Sequence, residues 1–466
     1  MPTRSAFSTT WARGCGPARV RGERALSNRV NHFHPMYPIQ LATHDPKVPR
    51  ATVHIEPADL LRSLYVVGKT GTGKSTLLEH VLLGAVDSGF GACLVDPHGD
   101  LVRSVLSHLP GRHWNRVVIL SPRDSELVVG LHLLEQNEHL SRDLVASGIV
   151  QVFRKLWGPV LFGPRSEHLL RHAVLVLLAN PGTTLLSLLR LLVDSTFRLR
   201  LLQKVADPVV RTFWLKEFPL FSKQFEGEVL SPVLNKLGAL TAPSVRRVLG
   251  QVHPRVSLQD VLHQGRILLV DLSGIGRDAA ELLGALIVTS VGVAAFARGS
   301  LPVADRRPFL LVADEFQGYT TLAFAELLAQ GRKFGLCAAL AHQHLAQLDP
   351  QVKAAVLGNA GTLAAFNLSA EDAAELEPEF EPHLNARDLV TLKRHRVALR
   401  LLCRGEPGRP FLARTLPPVE GPVTVPEGLQ WYCRERYGRR VSVVDREIAE
   451  ALGVPLASLS DSRSSP

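Results

Sequence analysis

One octapeptide constrains this chain more than any other feature: Gly68-Lys69-Thr70-Gly71-Thr72-Gly73-Lys74-Ser75, which satisfies the spacing GxxxxGK[ST]. It follows an apolar run, Leu64–Val67, and precedes Thr76–Leu83, which reads as a helix. A strand, a glycine-rich turn and a helix in that order make a phosphate cradle. Glycines let the backbone curl with its N–H groups inward, and the helix N-terminus adds its dipole. The cradle is read as Gly68 to Thr76, with Lys74 reaching the β- and γ-phosphates of ATP and the Ser75 hydroxyl ligating Mg²⁺.

A phosphate loop of this kind works with an acid at the end of another buried strand. Phe309-Leu310-Leu311-Val312-Ala313 runs into Asp314 and Glu315. Asp314 is expected to hold Mg²⁺ through water, and Glu315 to polarise the attacking water, which points to hydrolysis. Gln343 follows the apolar run Leu336–Ala341, where its amide can sense a γ-phosphate. Arg332 precedes Gln343 by eleven residues, at the end of a helical stretch, where an arginine is ordinarily solvated. A second acid-ended strand gives Asp96-Pro97-His98-Gly99-Asp100, read as a turn and helix cap, not as a metal site. His342 and His344 are not expected to share a metal either.

Most strand candidates are continuous apolar runs: Ala51–Ile55, Leu64–Val67, Gly91–Asp96, Arg116–Leu120, Ile267–Leu272, Phe309–Ala313, Leu336–Ala341, Thr362–Phe366 and Val397–Cys403. That is the mark of strands covered on both faces, hence an α/β fold with a mainly parallel sheet. Between about 130 and 262 helical patterns replace strands, with Thr183 expected to cap Leu185–Val193 and Asp207 to cap a helix opening at Pro208. The long uncharged and mostly apolar run Leu282–Ala297 has sixteen residues and includes Gly284 and Gly292. A span needs about 20 apolar residues, so this run reads as a buried core helix.

Charge is unevenly distributed. The chain has 53 Lys and Arg against 43 Asp and Glu, and residues 1–50 alone hold eight basic and two acidic residues. A basic surface admits a polyanionic partner such as nucleic acid. The five cysteines are scattered, without CxxC spacing, so zinc and disulfide frameworks are not expected. Nothing reads as a signal peptide.

Together, GKTGTGKS, Asp96-Pro97-His98-Gly99-Asp100-Leu101, the long helical insertion, Val312-Ala313-Asp314-Glu315-Phe316-Gln317 and Gly331-Arg332-Lys333-Phe334-Gly335-Leu336 with Ala341-His342-Gln343-His344 resemble the FtsK/HerA superfamily of DNA motors. Within it the chain resembles the coupling-protein-like ATPases of conjugative, type IV secretion-related DNA transfer. Leu156-Trp157-Gly158-Pro159 and Gly358-Asn359-Ala360-Gly361-Thr362 join the resemblance.

The resemblance implies a RecA-like motor domain with an inserted all-α domain. The expected division is a basic disordered leader (1–50), the first part of the motor (51–130), the all-α insertion (131–262), the second part (263–420) and a C-terminal helix with a Ser-rich tail (421–466). It also implies a homo-hexamer around DNA, ATP and Mg²⁺ as cofactors, and Arg332 reaching a neighbour's γ-phosphate with Gln343 as sensor. DNA contacts are expected at phosphates and without sequence preference. The membrane helices of coupling proteins have no counterpart here. The expected location is therefore cytoplasmic, at most peripheral to the inner membrane through a secretion partner, with a relaxase as a further partner. A HerA-like helicase acting with a nuclease, and a secretion-assembly ATPase that does not act on DNA, are the alternatives.

Overall fold

The computed structural model describes residues 37–44, 52–135, 140–220 and 230–453. An eleven-stranded sheet organises them. Its strands, in chain order, are β1 (Ile39–His44), β2 (Thr52–Ile55), β3 (Leu64–Val67), β4 (Gly91–Asp96), β5 (Val117–Leu120), β6 (Ile267–Asp271), β7 (Phe309–Ala313), β8 (Leu336–His342), β9 (Thr362–Ala365), β10 (Arg396–Arg400) and β11 (Phe411–Thr415). The order across the sheet is β2-β1-β11-β10-β9-β3-β8-β7-β4-β6-β5. From β9 to β5 every pairing is parallel, and the remaining strands form an antiparallel wing.

The parallel strands have no polar face to offer. All residues of β3, β4, β6, β7 and β8 are buried. Successive side chains serve opposite faces. Leu64 and Val66 join one core with Leu77, Leu78, Val81 and Leu82 of α1 (Lys74–Asp87). Tyr65 and Val67 join the other, with Phe153 of α2 (Arg142–Leu161) and Leu283, Ile287 and Val291 of α3 (Arg277–Ala297). Each such buried aliphatic side chain contributes about 1.5–3 kcal/mol, so both faces must be covered.

α3 contains the long uncharged run, and its burial agrees with a core helix. By length and composition the segment Arg277–Ser300 could cross a membrane, yet 78% of its apolar window is buried in the fold. Between 131 and 262 the described residues form helices joined by turns and loops, with a lone bridge between Leu131 and Val256 in place of any strand. Asp207 accepts from the N–H groups of Val209 and Val210, as its place before Pro208 implies. Thr183 does not cap the following helix, which runs Ser187–Val193. Its hydroxyl donates instead to the carbonyls of Leu177 and Asn180, closing the end of the preceding helix.

The irregular leader needs correcting at one place. Ile39–His44 is a strand, paired antiparallel to β2 and β11. Ile39, Leu41 and Ala42 are buried there, and the surrounding Arg-rich composition hides that short apolar run. Apart from residues 37 and 38, the rest of 1–50 lies outside the described residues. So does the Ser-rich end from 454. The C-terminal stretch holds two helices, Glu427–Tyr437 and Val441–Leu452, joined by a short strand (Gly438–Arg440) that pairs with Leu127–Val129.

Candidate nucleotide-binding site

The carboxyl ends of β3, β8, β7 and β4 lie side by side, where ligands bind in open parallel sheets. The phosphate loop leaves β3 and enters α1, whose N-cap is Gly73. Gly68, Gly71 and Gly73 take φ of 153°, 74° and 119°, values that side chains rarely allow. Two loop N–H groups tie it down: Gly68 donates to the His342 carbonyl (3.3 Å) and Lys69 to the Asn367 carbonyl (2.9 Å). On the wing side His395 N–H donates to the Thr72 carbonyl at 3.1 Å. The first-turn N–H groups of α1 have no acceptors within the helix, which makes them donors for an anion.

Lys74 is buried, and its ammonium donates to the carbonyls of Gly68 (2.7 Å) and Lys69 (3.1 Å). Burial pulls its pKa down, and the Glu315 and Asp314 carboxylates oppose that pull. The Ser75 hydroxyl donates to Asp314 Oδ2 at 3.3 Å, so the two oxygens expected to hold magnesium are together. Burial pushes the Asp314 carboxyl up to about 6, helped by the charges of Glu315 and Asp96 and opposed by Lys74. Two hard oxygen donors in a patch with surplus negative charge fit a magnesium ion.

Glu315 stands in the left-handed region, φ 50° and ψ 46°, a conformation costly for a residue with a Cβ. Three contacts hold it there. Its N–H donates to Asp314 Oδ1 (3.1 Å), Gln343 Nε2 donates to its Oε1 (2.9 Å) and Gln317 Nε2 to its Oε2 (2.8 Å). Gln343 is thus beside the acid on the neighbouring strand end. Gln317 was missed in the sequence reading, although it lies two residues beyond Glu315 in the same motif.

Arg332 is elsewhere. It is exposed, in the turn Gly331–Phe334 that precedes β8. Gln343 follows the far end of that seven-residue strand. At about 3.3 Å per residue the strand alone separates them by roughly 23 Å. Asp96 serves as a cap: its carboxylate accepts from the N–H groups of His98 (2.9 Å) and Val102 (3.0 Å). His342 is fully buried against the Tyr65 hydroxyl, and burial pulls its pKa down to about 3. His344 instead meets Asp372 at 3.1 Å. Among the described residues no group of three His, Cys, Asp or Glu is arranged to hold a metal.

A Cβ at Gly68 would lie 2.5 Å from Phe366 Cβ, on a backbone already at positive φ. Gly68→Ala is expected to lose about 1–3 kcal/mol of stability through overpacking, and to weaken nucleotide binding as the loop shifts. Thermal melting with and without ATP checks both effects.

The family model for the central domain of helicase HerA matches residues 42–142. The type 4 coupling protein DotL of Legionella pneumophila is 25% identical over 353 residues, 62% of this chain. That alignment takes in 44% of DotL, so the chain spans under half of this relative. Among solved structures, the bacterial conjugative coupling protein TrwBdeltaN70 superposes with a TM-score of 0.58 at 16% identity, over 82% of this chain and 93% of that one. VirB4 of Thermoanaerobacter pseudethanolicus gives 0.52 at 15% identity, over 83% and 98%.

A phosphate loop on the central strand, an acid pair two strands away and a glutamine between them are the parts of a P-loop ATPase, and the stretch 42–142 that holds the loop matches the HerA central domain. Within that class it is coupling-protein-like, with the RecA-like motor fold of TrwB and sequence similarity to DotL.

Proposed function

We propose that this chain is an ATP-hydrolysing, ring-forming motor that moves DNA in a conjugative or mobile-element transfer system. One observation carries the reading: Lys74, Ser75, Asp314, Glu315 and Gln343 converge at the carboxyl ends of the central strands in a coupling-protein-like fold. TrwB has been solved with the ATP analogue ADPNP and with ADP and Mg²⁺, which supports the same cofactors here. Lys74 would leave its two carbonyl partners for the phosphates. Ser75 and Asp314 would hold the metal, which when bound neutralises charge on the phosphate oxygens. Glu315 would take the proton of the attacking water, with Gln343 fixing one of its oxygens.

The placement of Arg332 supports the ring reading. Too far to serve its own phosphate loop, it is exposed and available to a neighbour's. The likeness to VirB4 favours a second reading, a secretion ATPase that acts on protein and not on DNA.

DNA binding separates the two. In the DNA-motor reading the nucleotide-bound oligomer binds DNA of unrelated sequence, with affinity falling steeply as salt rises. Each duplex phosphate neutralised adds about 0.9 to the slope of log affinity against log salt. An oligomer that ignores both single- and double-stranded DNA at low salt favours the secretion ATPase.

A further inference from the structure

The helical insertion touches the hydrolytic turn through a half-buried lysine. Lys155, on α2, donates from Nζ to the Gln317 carbonyl at 2.7 Å. Gln317 in turn donates from its amide to Glu315 Oε2 at 2.8 Å. Gln317 therefore links the insertion to the acid read as polarising water, its backbone carbonyl accepting from Lys155 and its side-chain amide donating to Glu315.

The place of Lys155 is costly. A lysine ordinarily keeps its ammonium in water, and burying a charge without a paired carboxylate is unfavourable. Here burial pulls the pKa down to about 8, and the carboxylates that act on it, Glu281 and Asp349, do so through space without a hydrogen bond. An ordinary surface lysine would point outward from α2. This one stays in and spends its donor on one carbonyl of the turn behind Glu315.

The surrounding frame is tightly packed at two points. α2 meets α3 so closely that a Cβ on Gly148 would lie 2.9 Å from Thr289 Cγ2. α3 meets the same turn so closely that a Cβ on Gly284 would lie 2.3 Å from the Tyr319 ring. The insertion, α3 and the turn thus form one packed block. Interiors packed this tightly transmit displacement. Glu315 itself, on a strained left-handed residue, needs such support, because strained conformations persist only where their surroundings over-determine them.

We infer that Lys155 and Gln317 are positioning residues through which the helical insertion aims Glu315. This rests on the proposed role of Glu315. It goes further in naming the route by which movement of the insertion reaches the chemistry. The effect is on orientation, so it belongs in turnover and not in nucleotide affinity.

The test uses the full chain and Mg²⁺-ATP. Lys155→Met keeps the length and removes the donor; Gln317→Ala removes the amide. Each is expected to lower kcat by about 10- to 100-fold, the scale of a misplaced catalytic group, with KM and binding of a non-hydrolysable ATP analogue changed less than about twofold. Lys155→Arg, which keeps a cationic donor, should recover part of the loss. Both changes act through one carboxylate, so the double variant should be no slower than the slower single variant. A purely structural contact would lower the melting temperature and leave kcat intact. That result, or additive losses in the double variant, overturns the inference. Should Lys155→Met fail to fold, Gln317→Ala on the half-buried turn still decides the matter: unchanged kcat overturns it. Wild-type protein without any turnover would instead sink the ATPase reading itself, a distinguishable failure.

Discussion

Glu315→Gln is expected to bind ATP as the wild type does and to hydrolyse it at least about 10²-fold more slowly, the share a positioned base contributes. The amide is close to isosteric and can still meet Gln343 and Gln317. It cannot take a proton. Lys74, Ser75 and Asp314 are untouched, so phosphate and metal binding should survive. Lys74→Ala should differ, because it removes the one buried cation of the loop, and nucleotide binding itself should fail. Binding of a fluorescent ATP analogue, measured beside phosphate release, separates these outcomes. Near wild-type hydrolysis by Glu315→Gln would show that another group activates the water. A loss of binding equal to that of Lys74→Ala would make Glu315 a structural acid.

Arg332→Ala is expected to keep ATP binding and lose turnover, since an arginine at a γ-phosphate is worth on the order of 10³–10⁵ in rate. Its position makes the expectation sharper. Arg332 is exposed in the turn before β8, and Gln343 lies beyond the strand's other end. It cannot serve the phosphate loop of its own subunit without unfolding the strand. Arg332→Ala and Lys74→Ala subunits should each be inactive alone. Mixed, they bring some intact Lys74 sites against an intact Arg332, and part of the activity should return. Near wild-type turnover in Arg332→Ala would show an ordinary solvated residue. No recovery in co-assembled mixtures would rule out action on a neighbour.

What could be read from the sequence has a physical pattern. Buried parallel strands need apolar side chains on both faces, so Leu64–Val67, Gly91–Asp96 and Phe309–Ala313 stand out and agree with the structure in both bounds. Two of the wing strands did not. Phe411–Thr415 mixes Arg and Thr with apolar residues because one face is partly open, and Ile39–His44 is short and surrounded by arginines. The cap at Asp207 was legible because Pro208 fixes the first helical turn. Thr183 misled because a hydroxyl that can cap a following helix can equally well close a preceding one.

The site divides along the same line. Lys74, Ser75, Asp314 and Glu315 each sit beside a strand in sequence, so local pattern places them. Gln317 was visible as a letter of its motif, with no sign that its amide turns back on Glu315. Lys155 carried no signal. It lies 162 residues before the carbonyl it meets, and only the packing of the insertion brings them together.

The central claim, that ATP hydrolysis here is coupled to DNA, is tested most directly by one measurement. Phosphate release by size-fractionated oligomer is followed with and without single- and double-stranded DNA, and Glu315→Gln serves as the blank. The motor reading predicts turnover in the wild type that rises when DNA is added and is lost in Glu315→Gln. Turnover that stays the same with either form of DNA, in an oligomer shown to bind ATP, would contradict it.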